Sequence, residues 1–280
     1  MEAAGIKDVS RRRDLCEGIG YSCRVCHGRI IHGVNRFSSK VLQTLQSLSR
    51  QMIFNQAPVG AYDEMEYRQM DPENLAAWYF RLNGFFTIPN FVLHPMRRGS
   101  ALTDADIAGV RFPYRAEFPG GLGGDDLEFR RIVKCPYAVF AEVKKGECRL
   151  NGPWSNQQQG NMDRILSDLG LCPSDDIPAV ADSLYNAGRF SNESLYCSLF
   201  CIGNSASDSV AEDYPEVPQK TWDKVSEFVF QRFKIYRQRK TDHSHWDYVG
   251  KTLWECFESS RNSQEEFENS LRRSFNLPTT

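Results

Sequence analysis

Between Asp71 and Gly84 the chain carries both a helix start and a helix stop, and the period of its apolar residues changes directly afterwards. Asp71-Pro72-Glu73 supplies an N-cap acceptor, a proline at the first helical position, and an acid in the positive first turn. Leu75, Trp78, Tyr79 and Leu82 share one helical face, and Asn83-Gly84 tolerates the left-handed backbone that ends a helix. Three β-rich runs follow at 85–93, 101–110 and 137–143, the first two expected to pair as a hairpin across the 95–100 turn. Residues 112–130, with Pro113, Pro119, Gly120, Gly121, Gly123 and Gly124, predict a flexible excursion in which Asp125 and Asp126 are solvated loop residues. Helices are expected at about 161–169 and 177–187, and a buried strand at 195–202. After an acidic loop, three helices are expected at about 221–239, 245–259 and 263–275. The expected fold is α/β: a mixed, mostly four-stranded sheet with a helical C-terminal extension.

Composition narrows the class. With 41% hydrophobic residues, 25% charged residues and a net charge of −2 over 280 residues, the chain resembles a globular protein and not a disordered, collagen-like or coiled-coil one. Its longest apolar stretches fall far short of the roughly 18–20 residues that span a bilayer, so no membrane partner is expected. Arg11, Arg12 and Arg13 have no apolar segment behind them, unlike a secretory signal. Nine cysteines without framework spacing suggest reduced, mostly buried thiols, and the expected compartment is the cytoplasm.

Charge divides the chain. Residues 1–60 carry nine Lys/Arg against four Asp/Glu, whereas the remainder carries 25 against 32. An acidic body does not grip nucleic acid through net charge, so any such binding needs a local basic patch. Within the basic block, 37–52 has helical spacing, and Cys16, Cys23 and Cys26 with His27 or His32 could supply four zinc ligands. No second cysteine pair follows at finger spacing, which leaves a loosely ordered basic arm over 1–70 as the simpler expectation. A start nearer Met52, Met65 or Met70, with this block as an upstream extension, is a further reading.

The candidate chemistry centres on Glu142-Val143-Lys144. Residues two apart on a strand face the same side, roughly 6.5–7 Å apart, so a carboxylate and an ammonium would address one site while Val143 packs behind. The preceding strand brings Asp104 and Asp106 toward the same end of the sheet before turning apolar. Carboxylates held close repel unless a proton or cation lies between them. A hard divalent ion resolves that conflict, and Mg²⁺ accepts one or two protein carboxylates with phosphate and water completing its shell.

The order helix, three strands, helix, strand, with Asp106 on the second strand and Glu142-x-Lys144 on the third, resembles the PD-(D/E)xK nuclease superfamily, the restriction-endonuclease-like fold. The resemblance covers residues 71–203. Arg-Leu-Asn-Gly-Phe-Phe (81–86), Asp-Ile-Ala-Gly-Val-Arg-Phe-Pro (106–113) and Ala-Glu-Val-Lys-Lys-Gly (141–146) are similar to the helix-to-strand junction and active-site strands of its bacterial members. Ala105 stands where the family prefers proline, and the glycine-rich stretch lengthens the interval from Asp106 to Glu142. The resemblance implies a nuclease-like core over 71–205, followed by a helical extension over 206–280. It implies that Asp106 and Glu142 bind Mg²⁺ or Mn²⁺, that Lys144 orients the attacking water or steadies the transition state, and that Glu73 is an additional acid. The implied activity is metal-dependent hydrolysis of nucleic acid, DNA ahead of RNA, by a chain compatible with a homodimer.

Plainer readings stand beside these. Glu142 and Lys144 could be an edge-strand ion pair, Asp104 a strand-start turn residue, and Glu73 a helix-dipole acid. Asn151 and Trp154 could contact substrate or simply cap and pack. Arg232, Lys234, Arg237, Arg239 and Lys240 could grip phosphate or form a solvated basic helix end, with Arg237 and Lys240 the named substrate candidates. His94, His243 and His245 form no ligand set by spacing. The competing function is a catalytically inactive nuclease-fold protein acting as a nucleic-acid or protein interaction module.

Overall fold

Tyr137–Val143 forms a strand, β3, whose seven residues are all buried, and the other elements take their places around it. A computed structural model describes residues 70–94, 103–117, 124–130, 134–239 and 246–279. The zinc candidates, the 37–52 helix, the 95–100 turn, Lys240, His243 and His245 lie outside these residues. The expected helix is α1 (Pro72–Leu82), where Asp71 N–H donates to Asn74 Oδ1 at 3.1 Å and Glu73 occupies the first turn. At its end Gly84 has φ +86°, and a Cβ there would strike the Arg115 side chain lying across it. The positive φ is the ground that favours glycine there.

β1 (Phe85–Leu93) and β2 (Thr103–Arg111) pair antiparallel, and β2 pairs antiparallel with β3. The chain then crosses over through α3 (Gly152–Ser155), α4 (Asn161–Leu169) and α5 (Ile177–Ala187) to a strand parallel to β3, β5 (Tyr196–Gly203). A short helix, α2 (Leu127–Arg130), precedes β3, and another, α6 (Asp208–Asp213), follows β5. Among the described residues the mixed sheet has six strands, not four. β4 (Arg189–Ser191) and β6 (Gln219–Thr221) share the far edge of β5, and at three residues each they are too short for a period to announce them. α7 (Trp222–Arg239), α8 (Tyr248–Ser259) and α9 (Gln264–Ser274) complete the described chain.

Alternation along β3 feeds two cores. Tyr137, Val139, Ala141 and Val143 pack with α1 and α7–α9, while Ala138 and Phe140 pack with α3–α5. β3 is thus central, and the edge-strand reading of Glu142 and Lys144 does not hold. The six described cysteines are free thiols, five of them buried. Among the described residues no helix is long and apolar enough to cross a membrane.

Two expectations about charged residues are overturned. Asp125 is not a solvated loop acid: it is 1% exposed and receives Arg111 at 2.7 Å, Arg232 at 2.8 Å and Arg115. Asp126 accepts from Tyr79 at 2.9 Å and Lys220 at 2.9 Å. Arg232 is likewise no phosphate-gripping residue, since its side chain is fully buried and also binds Glu117 at 2.7 Å. Phe129 is sealed in the core, so residues 124–130 are pinned where a flexible excursion was expected. The reason is pairing: three arginines at one site require carboxylates, and an unpaired buried charge costs several kcal/mol. Asp125→Ala should therefore destabilise the fold by roughly 3–5 kcal/mol in urea unfolding, far more than loss of an exposed acid such as Asp168.

Candidate active site

The antiparallel ladder between β2 and β3 ends at Ile107↔Ala141, and the first residue beyond it is Asp106. There the Asp106 side chain substitutes for the missing strand backbone: its Oδ2 accepts the Val143 N–H at 2.7 Å. This bond orients Asp106 across β3, toward the residues on either side of Val143. Lys144 Nζ lies 2.5 Å from Glu142 Oε2 and 3.5 Å from Asp106 Oδ2. Because both contacts share one nitrogen, those two carboxylate oxygens are no more than about 6 Å apart.

Two indoles brace this group. Trp154, on α3, donates its Nε1–H to Glu142 Oε1 at 2.5 Å, and its ring lies parallel to that of Phe140. Trp222, at the start of α7, donates to the Lys144 carbonyl at 3.1 Å, while Lys144 N–H continues the parallel pairing to the Ile202 carbonyl at 2.8 Å. Strand and lysine backbone are thus fixed from both faces of the sheet. Trp154 is 1% exposed, which overturns its reading as a substrate-contacting residue and makes it the partner of Glu142.

Burial governs the charges. The Glu142 side chain is only 3% exposed, and desolvation pushes its pKa up to about 7 despite the bonds from Lys144 and Trp154 that favour its ionised form. Burial works against the Lys144 ammonium too, but Glu142 and Asp106 outweigh it and hold its pKa above the usual lysine value. Glu73 is half-buried. Its pKa is raised mainly by burial and further by the nearby Asp106, with Lys144 acting in the opposite sense. Asp106, Glu142, Lys144 and Glu73 therefore form one electrostatic group.

The remaining candidates are elsewhere or otherwise engaged. Asp104 is exposed and forms no ion pair among the described residues. Asn151 is half-buried at the start of α3. Arg237, a third exposed, is paired with Glu258 at 3.1 Å and bonded to Asn262, with its guanidinium over Phe257. His94 is exposed and outside the cluster. Neither indole role was legible in the sequence, because each depends on contacts made by the crossover or by α7.

The donors are hard oxygens, as Mg²⁺ or Mn²⁺ requires. Among the described residues no group of three or more His, Cys, Asp or Glu side chains is arranged to hold a metal. Asp106 and Glu142 offer only two carboxylates, and the cation they contact is the Lys144 ammonium. No family model, curated protein or solved structure matches this chain.

The raised Glu142 pKa has a stability consequence. Between the unfolded value near 4.5 and about 7, the folded state binds a proton that the unfolded state has released. The stabilisation is full below pH 4.5 and is lost as pH rises through 7. In EDTA, the stability of wild type relative to Glu142→Gln should fall by roughly 2–3 kcal/mol between pH 4.5 and 8. A pH-independent difference between the two in urea titrations would contradict this assignment.

Proposed function

We propose that the chain is a metal-dependent nuclease hydrolysing phosphodiester bonds of nucleic acid, DNA in the first instance. One observation carries the reading: Asp106 and Glu142, delivered by adjacent strands, converge on the ammonium of Lys144. Asp106 and Glu142 would hold Mg²⁺ or Mn²⁺, with Glu73 close enough to tune the charge of the group. Bound there, the ion would supply Lewis acidity toward the phosphate and lower the pKa of the attacking water.

The chain's own residues do the rest. Lys144 is 17% exposed and keeps its proton, so it can donate to a phosphate oxygen as negative charge develops. Asp106, equally exposed, presents the more accessible carboxylate. Glu142 is oriented by Trp154, and Lys144 would have to release its Oε2 for a cation to reach it. No Ser or Cys nucleophile is required. The preference for DNA, and the restriction-endonuclease-like description of the core, rest on the motif resemblance. Both carboxylates and the lysine come from one chain, so the site does not require a homodimer.

A second reading has its own observation. Glu142 is nearly sealed, with both oxygens engaged, as in a nuclease-fold protein that binds without turnover. Purified protein incubated with plasmid, linear duplex, single-stranded DNA and RNA separates the two. The nuclease reading expects cleavage in Mg²⁺, its loss in EDTA, a fall of about 10²–10³ in rate for Lys144→Ala, and no detectable turnover for Asp106→Asn. Binding without cleavage of any substrate would favour the inactive module.

A further inference from the structure

Beyond the carboxyl ends of the parallel strands β3 and β5 lies a cavity of about 430 Å³ that begins at Lys144. Its lining comprises Lys144, Lys145, Arg149, Ser207 and Ser209, together with Gly146, Glu147 and Cys148. Crevices at this end of parallel strands are where open α/β sheets receive ligands. Lys145 and Arg149 are exposed, and neither forms an ion pair with a carboxylate among the described residues. Glu147 is the only acid in the lining, so Lys145, Arg149 and Glu147 together contribute one net positive charge beside Lys144.

Its walls are fixed. The loop after β3 is bound to the loop after β5, with Asn204 N–H donating to the Gly146 carbonyl at 2.6 Å and Cys148 N–H to the Ser205 carbonyl at 2.9 Å. The two loops are so close that a Cβ on Gly203 would lie 2.7 Å from the Gly146 oxygen. On the opposite wall Gln219 clamps Ser207, accepting its N–H at 2.7 Å and donating to its carbonyl at 3.0 Å. Ser207 and Ser209 hydroxyls are 3.0 Å apart, so one of the pair is available to donate outward. Two unpaired cations and paired hydroxyls on a rigid wall suit a tetrahedral oxyanion. An acidic body that buries Arg232 internally has particular need of such a patch.

We propose that this cavity seats a backbone phosphate of the polynucleotide, next to the phosphodiester presented to Lys144. The proposal rests on the nuclease reading for its orientation, but binding can be measured without turnover. Fluorescence anisotropy with labelled 20-nucleotide duplex and single-stranded DNA, full-length protein and EDTA would compare wild type with a Lys145→Ala/Arg149→Ala double variant over a salt series. The expected result is affinity reduced on the order of tenfold, with the slope of log K against log salt reduced by about 1–2. Inorganic phosphate should displace the oligonucleotide only at millimolar concentration or above.

Unchanged affinity and salt slope would overturn the proposal, as would failure of wild type to bind either oligonucleotide. Displacement by micromolar phosphate would reassign the cavity to a free phosphate ligand and overturn the backbone assignment. The nuclease reading is judged separately, in Mg²⁺. Weakened variant binding in a protein that never cleaves would retain the cavity and reject hydrolysis. Cleavage by wild type with unchanged variant binding would do the reverse.

Discussion

The ammonium of Lys144 permits β3 to end as it does. A strand with seven consecutive buried residues has no inexpensive place for a carboxylate, yet Glu142 is the sixth of them. An ionised acid at that depth would cost several kcal/mol if isolated. Lys144, two residues on and facing the same side, neutralises it at 2.5 Å, and Trp154 satisfies the other oxygen. Asp106 then reaches across to the same ammonium. Its reach in turn depends on the β2–β3 ladder stopping one residue earlier, so that the Val143 N–H is available to it.

A second buried electrostatic group stabilises the surroundings. Asp125 and Glu117 gather Arg111 from β2, Arg115 from the following loop and Arg232 from α7. The strand carrying Asp106 is thereby anchored to the C-terminal helices at its far end, through Arg111. The two groups are chemically opposite. The arginine cluster places its guanidiniums against carboxylates already in place, whereas the Lys144 group has two carboxylates sharing one ammonium and so retains an affinity for further positive charge.

What the sequence made legible follows from the range of the forces involved. The caps of α1, the period of the three long strands and the same-side pairing of Glu142 with Lys144 are local, and all correspond to elements found in the structure. β4 and β6 were not legible, because three residues pairing with β5 carry no period of their own. Asp125 lies among glycines and prolines, which mark a loop but do not show that its carboxylate meets Arg232, 107 residues away. Trp154 follows an Asn-Gly-Pro turn and suggests capping or packing; only the crossover brings its indole to Glu142. Lys145 and Arg149 were visible as charges, but their common cavity is created by the loop after β5.

The asymmetry of the candidate site gives its parts different tasks. Glu142 and Trp154 form a dry side, where hydrogen bonds and charges are strengthened by low polarizability but exchange with solvent is restricted. Asp106 and Lys144, each 17% exposed, form the wet side, through which any cation or substrate must arrive. On the nuclease reading, a phosphate entering there would meet Lys144 and Asp106 together, since the two are equally exposed, with Lys145 and Arg149 beside them. On the same reading, a hard cation would offset the repulsion between that phosphate and the acids and would compete with the ammonium for the oxygens of Asp106 and Glu142. Displacement of Lys144 from Glu142 would then free its protons for the phosphate, coupling occupation of the site to the exposure of its only cationic donor among the four grouped side chains.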